Sequence, residues 1–498
     1  MSRCVTGLTD RNRLYSVAPG IFFAYKRQQG MKANRLRFHR FQRTLVYLFG
    51  LGLSAPLSAL NPGSLNALDQ LDRQVERTVS RQIERQLEET AKRVPDSAGE
   101  TDSSGGLSSL ASVANLPARL SIRSASGREV FADVEVEDGW RAVERQWLVT
   151  VEADELHHFK QPGITVMEQT SLDELGLTVL RFQASQNLDS REQLQRLLPQ
   201  ALVERLDRNH IYQPEATSGV ARGSTTDTQD PQPSANATVP VAPLCAAPVT
   251  IGMVDTAINT EHPAFAETTV RQRDFLADLE LSEASRPPTD HGTAVASRLS
   301  GRTGTTAATR LPAATLVSAS VFFDRQASIA GATLLHLVEA LDWLQASEVA
   351  LINISMAGPD NRVLATVIRR LLVRGTPVVA AVGNGGPASP MLYPAGYPGV
   401  IGVTAVDQDR KIYRWANQGQ QVDFAAAGVD VAVAVTDGQY GTQSGTSLAA
   451  PVISGQLACA LADTSFEQAL TGLKQHGIDL GDSGRDPVYG YGLVRDSH

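Results

Sequence analysis

An α/β fold built on a doubly wound, mostly parallel sheet is predicted for residues 248–498, preceded by a small α+β unit of ferredoxin-like order at residues 118–214. Three observations carry this. The segments "PVTIGMVD", "ATLVSASVFF", "VALINISM", "PVVAAVGN" and "GVIGVTAVD" are near-continuous apolar runs. They alternate with helical stretches such as "GATLLHLVEALDWLQA" and "RVLATVIRRLLVRG", the texture of strands covered on both faces by helices. Upstream, the element order β-α-β-β-α-β fits a ferredoxin-like unit. Between the two, residues 215–247 carry almost no large apolar groups and read as a linker open to proteases.

From the N-terminus, "MKANRLRFHRFQR" is basic, "TLVYLFGLGLSA" is a short apolar run, and Ser58 and Ala59 follow. That order matches a secretory signal peptide starting at Met31, so residues 1–60 are read as an upstream extension plus signal peptide. The alternative is an uncleaved membrane anchor, which so short an apolar run serves poorly. Within residues 61–95, Leu65, Leu68, Leu71, Val75, Val79, Ile83 and Leu87 recur at steps of three and four, an amphipathic helix. Residues 96–117 contain "DSAGETDSSGGLSS" and form a flexible linker by composition. A net charge of −8 supplies no basic footprint, so nucleic acid is excluded as an expected partner.

In the α+β unit, "QWLVTVEA" is a strand, "DELHHF" a helical turn, and "ITVMEQ" and "LGLTVLRFQA" two further strands. "DSREQLQRLLPQALVERL" is a capped helix that Pro199 should kink or divide, and "NHIYQ" is a last short strand. Of the three cysteines, Cys4 falls in the leader. Cys245 and Cys459 can pair in an oxidising compartment, but sequence leaves that pairing open. No zinc spacing exists.

Four polar residues fall at element ends in the larger unit. Asp255 closes "PVTIGMVD", His291 opens a helix in "TDHGTAVAS", Asn384 ends "PVVAAVGN", and Ser447 opens the last major helix in "GTSLAAP". In doubly wound sheets such ends meet along one rim. Amide hydrolysis needs a nucleophile, a base, a group that orients the base, and donors for the oxyanion. Ser447, His291, Asp255 and Asn384 supply those chemistries in turn, with the backbone N–H of Ser447 as second donor. Pro451 is compatible with a helix only near its start, which puts the helix N-terminus, with its free N–H groups, beside Ser447.

"DTAIN", "HGTAVAS", "AAVGNGG" and "GTSLAAP", in that order, resemble the subtilisin-like serine proteases over residues 248–498. The resemblance implies an exported serine endopeptidase that works through an acyl-enzyme and is made as a self-processing zymogen. It implies polypeptide substrates and a substrate-binding strand at Ser355, Met356, Ala357 and Gly358. The unit at 118–214 is similar to the propeptides that assist folding and then block the site, making the N-terminal domain an intramolecular partner. Calcium is frequent in that family, but no ligand set is matched here, and no metal or cofactor is assigned. Three positions depart from the family: Ala257, Ala357 and Leu448; of these Ala357 bears on specificity. The competing expectation is a catalytically silent binding or scaffold protein on the same fold. An esterase is disfavoured because no G-x-S-x-G elbow surrounds Ser447.

Overall fold

The computed structural model describes residues 116–137, 139–215, 244–302, 310–325 and 330–495. The leader, the helix expected at 61–95, most of the linker 96–117 and residues 216–243 of the second linker lie outside the described residues.

The smaller unit begins with a hairpin of β1 (Arg119–Arg123) and β2 (Glu129–Glu135), then β3 (Arg141–Thr150) and a 3₁₀ turn at Ala153–Phe159. β4 (Ile164–Leu172) and β5 (Leu177–Ala184) follow, then α1 (Arg191–Leu197), α2 (Gln200–Val203) and β6 (Leu206–Pro214). The expected single helix is divided at Pro199: Leu198 is driven to extended backbone, as a residue before proline tends to be. Antiparallel pairing runs β4–β5–β3–β6, the ferredoxin-like order. The β1–β2 hairpin, attached to the start of β3, was not anticipated. Its strands "RLSIR" and "EVFADVE" are short and charged.

The run "WLVTV" lacks the polar alternation of a half-exposed strand because both faces of this sheet are covered. Trp147, Val149, Leu180 and Phe182 pack on the unit's own helices around Leu194 and Leu202. Leu148 and Val179, pointing the other way, join one core with Leu337, Leu341, Val367 and Leu371 of the larger unit.

That larger unit contains β7 (Thr250–Asp255), β8 (Thr269–Asp274), α3 (Asp290–Leu299), β9 (Thr315–Ser320), β10 (Phe323–Asp324) and β11 (Ala330–Thr333). Next come α4 (Leu334–Ala346), β12 (Leu351–Ile354), β13 (Met356–Ala357), α5 (Arg362–Val373), β14 (Val378–Ala381) and β15 (Ile401–Val406). The chain closes with β16 (Phe424–Ala427), a β17 (Val431–Ala434) and β18 (Tyr440–Gln443) hairpin, α6 (Thr446–Leu461) and α7 (Phe466–His476). Seven strands form a sheet of order β16–β15–β14–β12–β7–β9–β8, and every pairing in it is parallel. β7 lies between β12 and β9, where the strand order reverses, so its C-terminal end faces the crevice that such sheets use for ligands.

A disulfide joins Cys245 to Cys459 at a Cα separation of 5.8 Å, resolving the pairing left open by sequence. Among the described residues, no helix is long and apolar enough to cross a membrane.

β6 connects the units. Beyond its pairing with β3 it runs antiparallel to β11 on one side and β13 on the other. It also crosses the N-termini of α4 and α5, whose first N–H groups need acceptors. Asn209 Oδ1 accepts from Leu335 N at 3.2 Å, and Asp207 Oδ2 accepts from Arg362 N at 3.1 Å. Asn361, the N-cap of α5, donates its side-chain amide to Arg208 O at 3.0 Å.

Candidate active site

β7 delivers Asp255 to the rim, and its Oδ1 accepts two hydrogen bonds of 2.7 Å, from Thr256 N and from His291 Nδ1. His291 sits in the first turn of α3, and the start of that helix is tied to the end of β7. Gly292 N donates to Thr256 Oγ1 at 2.7 Å, and a Cβ on Gly292 would lie 2.3 Å from Thr256 O. Only glycine allows so close an approach. The ring is therefore presented to the carboxylate by backbone geometry.

Asp255 is 1% exposed. Burial works against a charged imidazole, but the Asp255 charge and hydrogen bond outweigh it, and the adjacent Glu215 backbone and carboxyl contribute, so His291 titrates above its ordinary value. Its Nε2 is buried and, among the described residues, makes no well-formed hydrogen bond.

Ser447 is the second residue of α6, and Pro451 is the sixth. The expectation that the helix starts at or just before Ser447 agrees with this, but Pro451 lies beyond the first turn. A residue there would normally donate its N–H to the carbonyl of Ser447. Proline cannot, and the Ser355 hydroxyl donates to Ser447 O instead, at 2.9 Å. Asn353 Nδ2 donates to Ser355 Oγ at 3.0 Å, and Ser454 Oγ donates to Asn353 Oδ1 at 2.9 Å. The proline thus opens a socket that locks the helix start to the end of β12.

Asn384 lies three residues past the end of β14. Its Oδ1 accepts from Thr446 N at 3.0 Å and Thr446 Oγ1 at 2.9 Å, which fixes the acceptor end of the amide and hence the direction of its NH₂. Thr446 in this orienting role was not singled out from sequence. The Thr of "GTS" was the available signal.

The four residues expected to bind substrate, Ser355 to Gly358, line a groove filled by the end of β6. Pro214 pairs with Met356 and Gln213 with Ala357. Glu215 N donates to Ser355 O at 3.3 Å. Tyr212 lies over Gly358, where a Cβ would come within 2.4 Å of the ring. On the opposite side, Ala332 of β11 pairs with Tyr212, a contact the small residues "AGAT" did not advertise. The Ser447 hydroxyl donates to Glu215 O at 3.4 Å, and Glu215 Oε2 accepts from Asn384 N at 2.7 Å. Glu215 is buried, and burial, opposed by the Asn384 N–H and by His291, pushes its carboxyl up to about 7. The structure thus brings Asp255 and His291 into direct contact, and Ser447, Asn384 and His291 around one residue. Among the described residues, no group of three or more His, Cys, Asp and Glu could hold a metal ion.

Residues 247–492 match the Subtilase family, peptidase S8. The chain is 30% identical to an intracellular serine protease of Paenibacillus polymyxa over 45% of its length and 70% of that protein. It is 33% identical to a thermophilic serine proteinase of Bacillus sp. (strain AK1) over 43% of its length and 51% of that protein. With the minor extracellular protease Epr of Bacillus subtilis it shares 30% identity, over 32% of its length and a quarter (25%) of that protein. The crystal structure of fervidolysin from Fervidobacterium pennivorans, described as a keratinolytic enzyme related to subtilisin, superposes with a TM-score of 0.57. That match has 18% identity and covers 77% of this chain and 64% of fervidolysin, a likeness of fold. A parallel sheet with Asp255 at its reversal point, a histidine bound to that aspartate and a serine at a helix start are carried by a sequence whose relatives are named serine proteases: the chain belongs to the subtilase family.

Proposed function

We propose that the chain is a serine endopeptidase made as a self-processing zymogen, in which Asp255, His291 and Ser447 form the catalytic triad and Asn384 completes the oxyanion hole. One observation carries the reading: the end of β6 occupies the groove as a third strand, with a backbone carbonyl 3.4 Å from the Ser447 hydroxyl and beside the His291–Asp255 pair. A polypeptide laid there has its carbonyl carbon where the serine can reach it.

The chemistry follows from the placements. His291 Nε2 takes the Ser447 proton as Oγ bonds to the carbonyl carbon, and Asp255 holds Nδ1–H and balances the imidazolium. The developing oxyanion is met by the Ser447 N–H, at the positive end of α6, and by the Asn384 side-chain amide. Collapse breaks the C–N bond, His291 returns the proton to the leaving amine, and water hydrolyses the ester by the same steps in reverse. The substrates are polypeptides bound as a strand between β11 and β13. The N-terminal domain at 118–214 serves as folding partner and inhibitor, with processing in the linker 215–247. Export is supported by the basic and apolar order of residues 31–59, and one relative is named an extracellular protease.

The test is Ser447→Ala in the full chain. Loss of the nucleophile is expected to reduce peptide hydrolysis by about 10⁶, the figure for the subtilisin nucleophile, and to abolish labelling by a serine-directed phosphonate. A purified Ser447→Ala preparation with parental activity would refute the reading. Nothing observed favours the silent scaffold.

A further inference from the structure

Resting on the endopeptidase reading, we infer that the subsite beside Ser447 is built for a glutamate side chain, that the chain's first cut falls on the C-terminal side of Glu215, and that the mature enzyme cleaves polypeptides after glutamate and its neutral isostere glutamine.

Register is the first argument. β6 is held on both sides, Tyr212 against Ala332 and Gln213 against Ala357, so a one-residue slip would break two ladders at once. The residue beside Ser447 must also donate its N–H to Ser355 O. Glu215 does so, and Pro214, lacking an N–H, could not replace it after a slip. Tyr212 is seated over Gly358, where no larger residue leaves room for its ring. Glu215 is thus the one residue whose carbonyl this register sets against Ser447.

The side chain is the second argument. Its Oε2 lies 2.7 Å from the N–H of Asn384, a backbone donor that does not depend on any side-chain rotamer. Glutamate and glutamine both place an sp² oxygen at that distance, whereas aspartate is one methylene short and leucine leaves the N–H unpaired in a buried place. An unpaired buried donor is a strong source of discrimination. The charged group acting on this carboxyl is His291. No arginine or lysine side chain is seen acting on it among the described residues, so the pocket reads an oxygen acceptor more than a negative charge. The raised titration of Glu215, to about 7 from 4.5 through burial, agrees: the acid is held best in its neutral form.

In the cut itself, Ser447 Oγ bonds to the Glu215 carbonyl carbon as His291 takes the hydroxyl proton. The bond from that carbon to the next residue's nitrogen breaks, and His291 protonates the departing amine. Water then releases the Glu215 carboxylate from the ester and restores the serine.

The full chain, its Ser447→Ala variant, and Glu215→Gln and Glu215→Lys variants should be expressed and their fragments weighed. The expected result is a Ser447-dependent fragment ending at Glu215, retained in Glu215→Gln and at least tenfold slower in Glu215→Lys. Because Cys245 and Cys459 both follow the cut, the Cys245–Cys459 disulfide does not join the two fragments, and they should separate under denaturing conditions without reducing agent. Processed enzyme should then be given Tyr-Gln-Pro-X peptides with X as Glu, Gln, Asp, Leu or Lys. At pH 5, Glu and Gln should exceed the other three by tenfold or more in kcat/KM. The Glu/Gln ratio should fall at least tenfold between pH 5 and 7, since free glutamate ionises over that range while the bound side chain holds its proton. This ratio cancels the titration of His291. Ser447-dependent cutting at another bond, or a preference for Leu, overturns this inference and leaves the protease reading standing. Identical cutting in Ser447→Ala overturns both.

Discussion

Asp133 offers a sharp test of how the N-terminal domain is held. It is fully buried in β2 and meets two guanidinium groups. Arg141 Nε lies 2.6 Å from its Oδ1, and Arg325 Nη1 from the other unit lies 3.3 Å from its Oδ2. Arg325 is itself fully buried, and among the described residues its Nε has no hydrogen-bond partner. Burial lowers its pKa despite the adjacent Asp133. Asp133→Asn would remove the one carboxylate shared by both arginines. Stripping a partner from a buried ion pair costs about 3–5 kcal/mol, because a charge is left in a low-dielectric place. Arg325→Met is a different perturbation. Asp133 keeps Arg141, an under-compensated charge disappears, and the loss is confined to hydrogen bonds such as that from Arg325 Nη2 to Ala330 O, about 1–2 kcal/mol. The double variant should then be more stable than Asp133→Asn alone, since its apolar residue 325 no longer demands a counter-charge. Calorimetric unfolding of the four proteins in a Ser447→Ala background, where self-cleavage cannot intervene, gives the cycle. Asp133→Asn within about 1 kcal/mol of the parent, or Arg325→Met as damaging as Asp133→Asn, would refute the argument.

Asn384→Ala should lower kcat about 10²–10³-fold with little change in KM, because the amide acts on charge that appears only in the transition state; an equal rise in KM with unchanged kcat would assign Asn384 to substrate binding instead. The second concerns Glu339 on α4, which faces a cavity of about 640 Å³ lined also by Glu168, Thr170, Asp173, Glu174, Arg181, Arg273, His336 and Asp342. Burial, with Glu168 adding to it, pushes Glu339 up to about 7 from 4.5, so the docked form holds a proton that a free glutamate releases between those values. The contribution of Glu339 to stability is therefore full below about pH 4.5, declines as pH rises to about 7, and levels off beyond, while His336 in the same cavity, pushed down to about 4 by burial, contributes the opposite slope. In melting of the Ser447→Ala chain from pH 4.5 to 8, the difference between the parent and Glu339→Gln should shift against the parent as pH rises from 4.5 to 7; a difference that does not change with pH would exclude the Glu339 titration.

What was legible in the sequence was whatever is local. The buried parallel strands read as continuous apolar runs, and Asp255, His291, Asn384 and Ser447 sit in short motifs at strand and helix ends. The division at Pro199 follows from the chemistry of one residue. What escaped was set by partners distant in the chain. The β1–β2 hairpin is polar because its strands are short and charged, and β11 is four small residues whose strand character comes from β6. Arg325 looks like any surface arginine until Asp133, 192 positions earlier, is brought beside it. Glu215 had no local mark at all beyond ending a strand at the edge of a polar stretch. The continuous run "WLVTV" was a readable hint of docking: an antiparallel strand apolar on both faces needs a second cover, and α4 and α5 provide it.

The placement of β6 has a consequence for activation. Among the described residues, the contacts that seat the N-terminal domain belong to residues at or before Glu215, among them the ladders with β11 and β13, the acceptors given by Asp207 and Asn209 to α5 and α4, the Tyr212 seat and the Asp133–Arg325 pair. A cut after Glu215 removes none of them. It removes only the tether, and with it the effective concentration that a covalent linker confers. On the proposed processing, bond cleavage and unblocking would be separate events, the first fixed by the register at Ser447 and the second by the free energy of the docked face. Substitutions at Asp133 or Glu339 should change how long the cleaved domain stays in place without changing where the chain is cut, and substitutions at Glu215 should do the reverse.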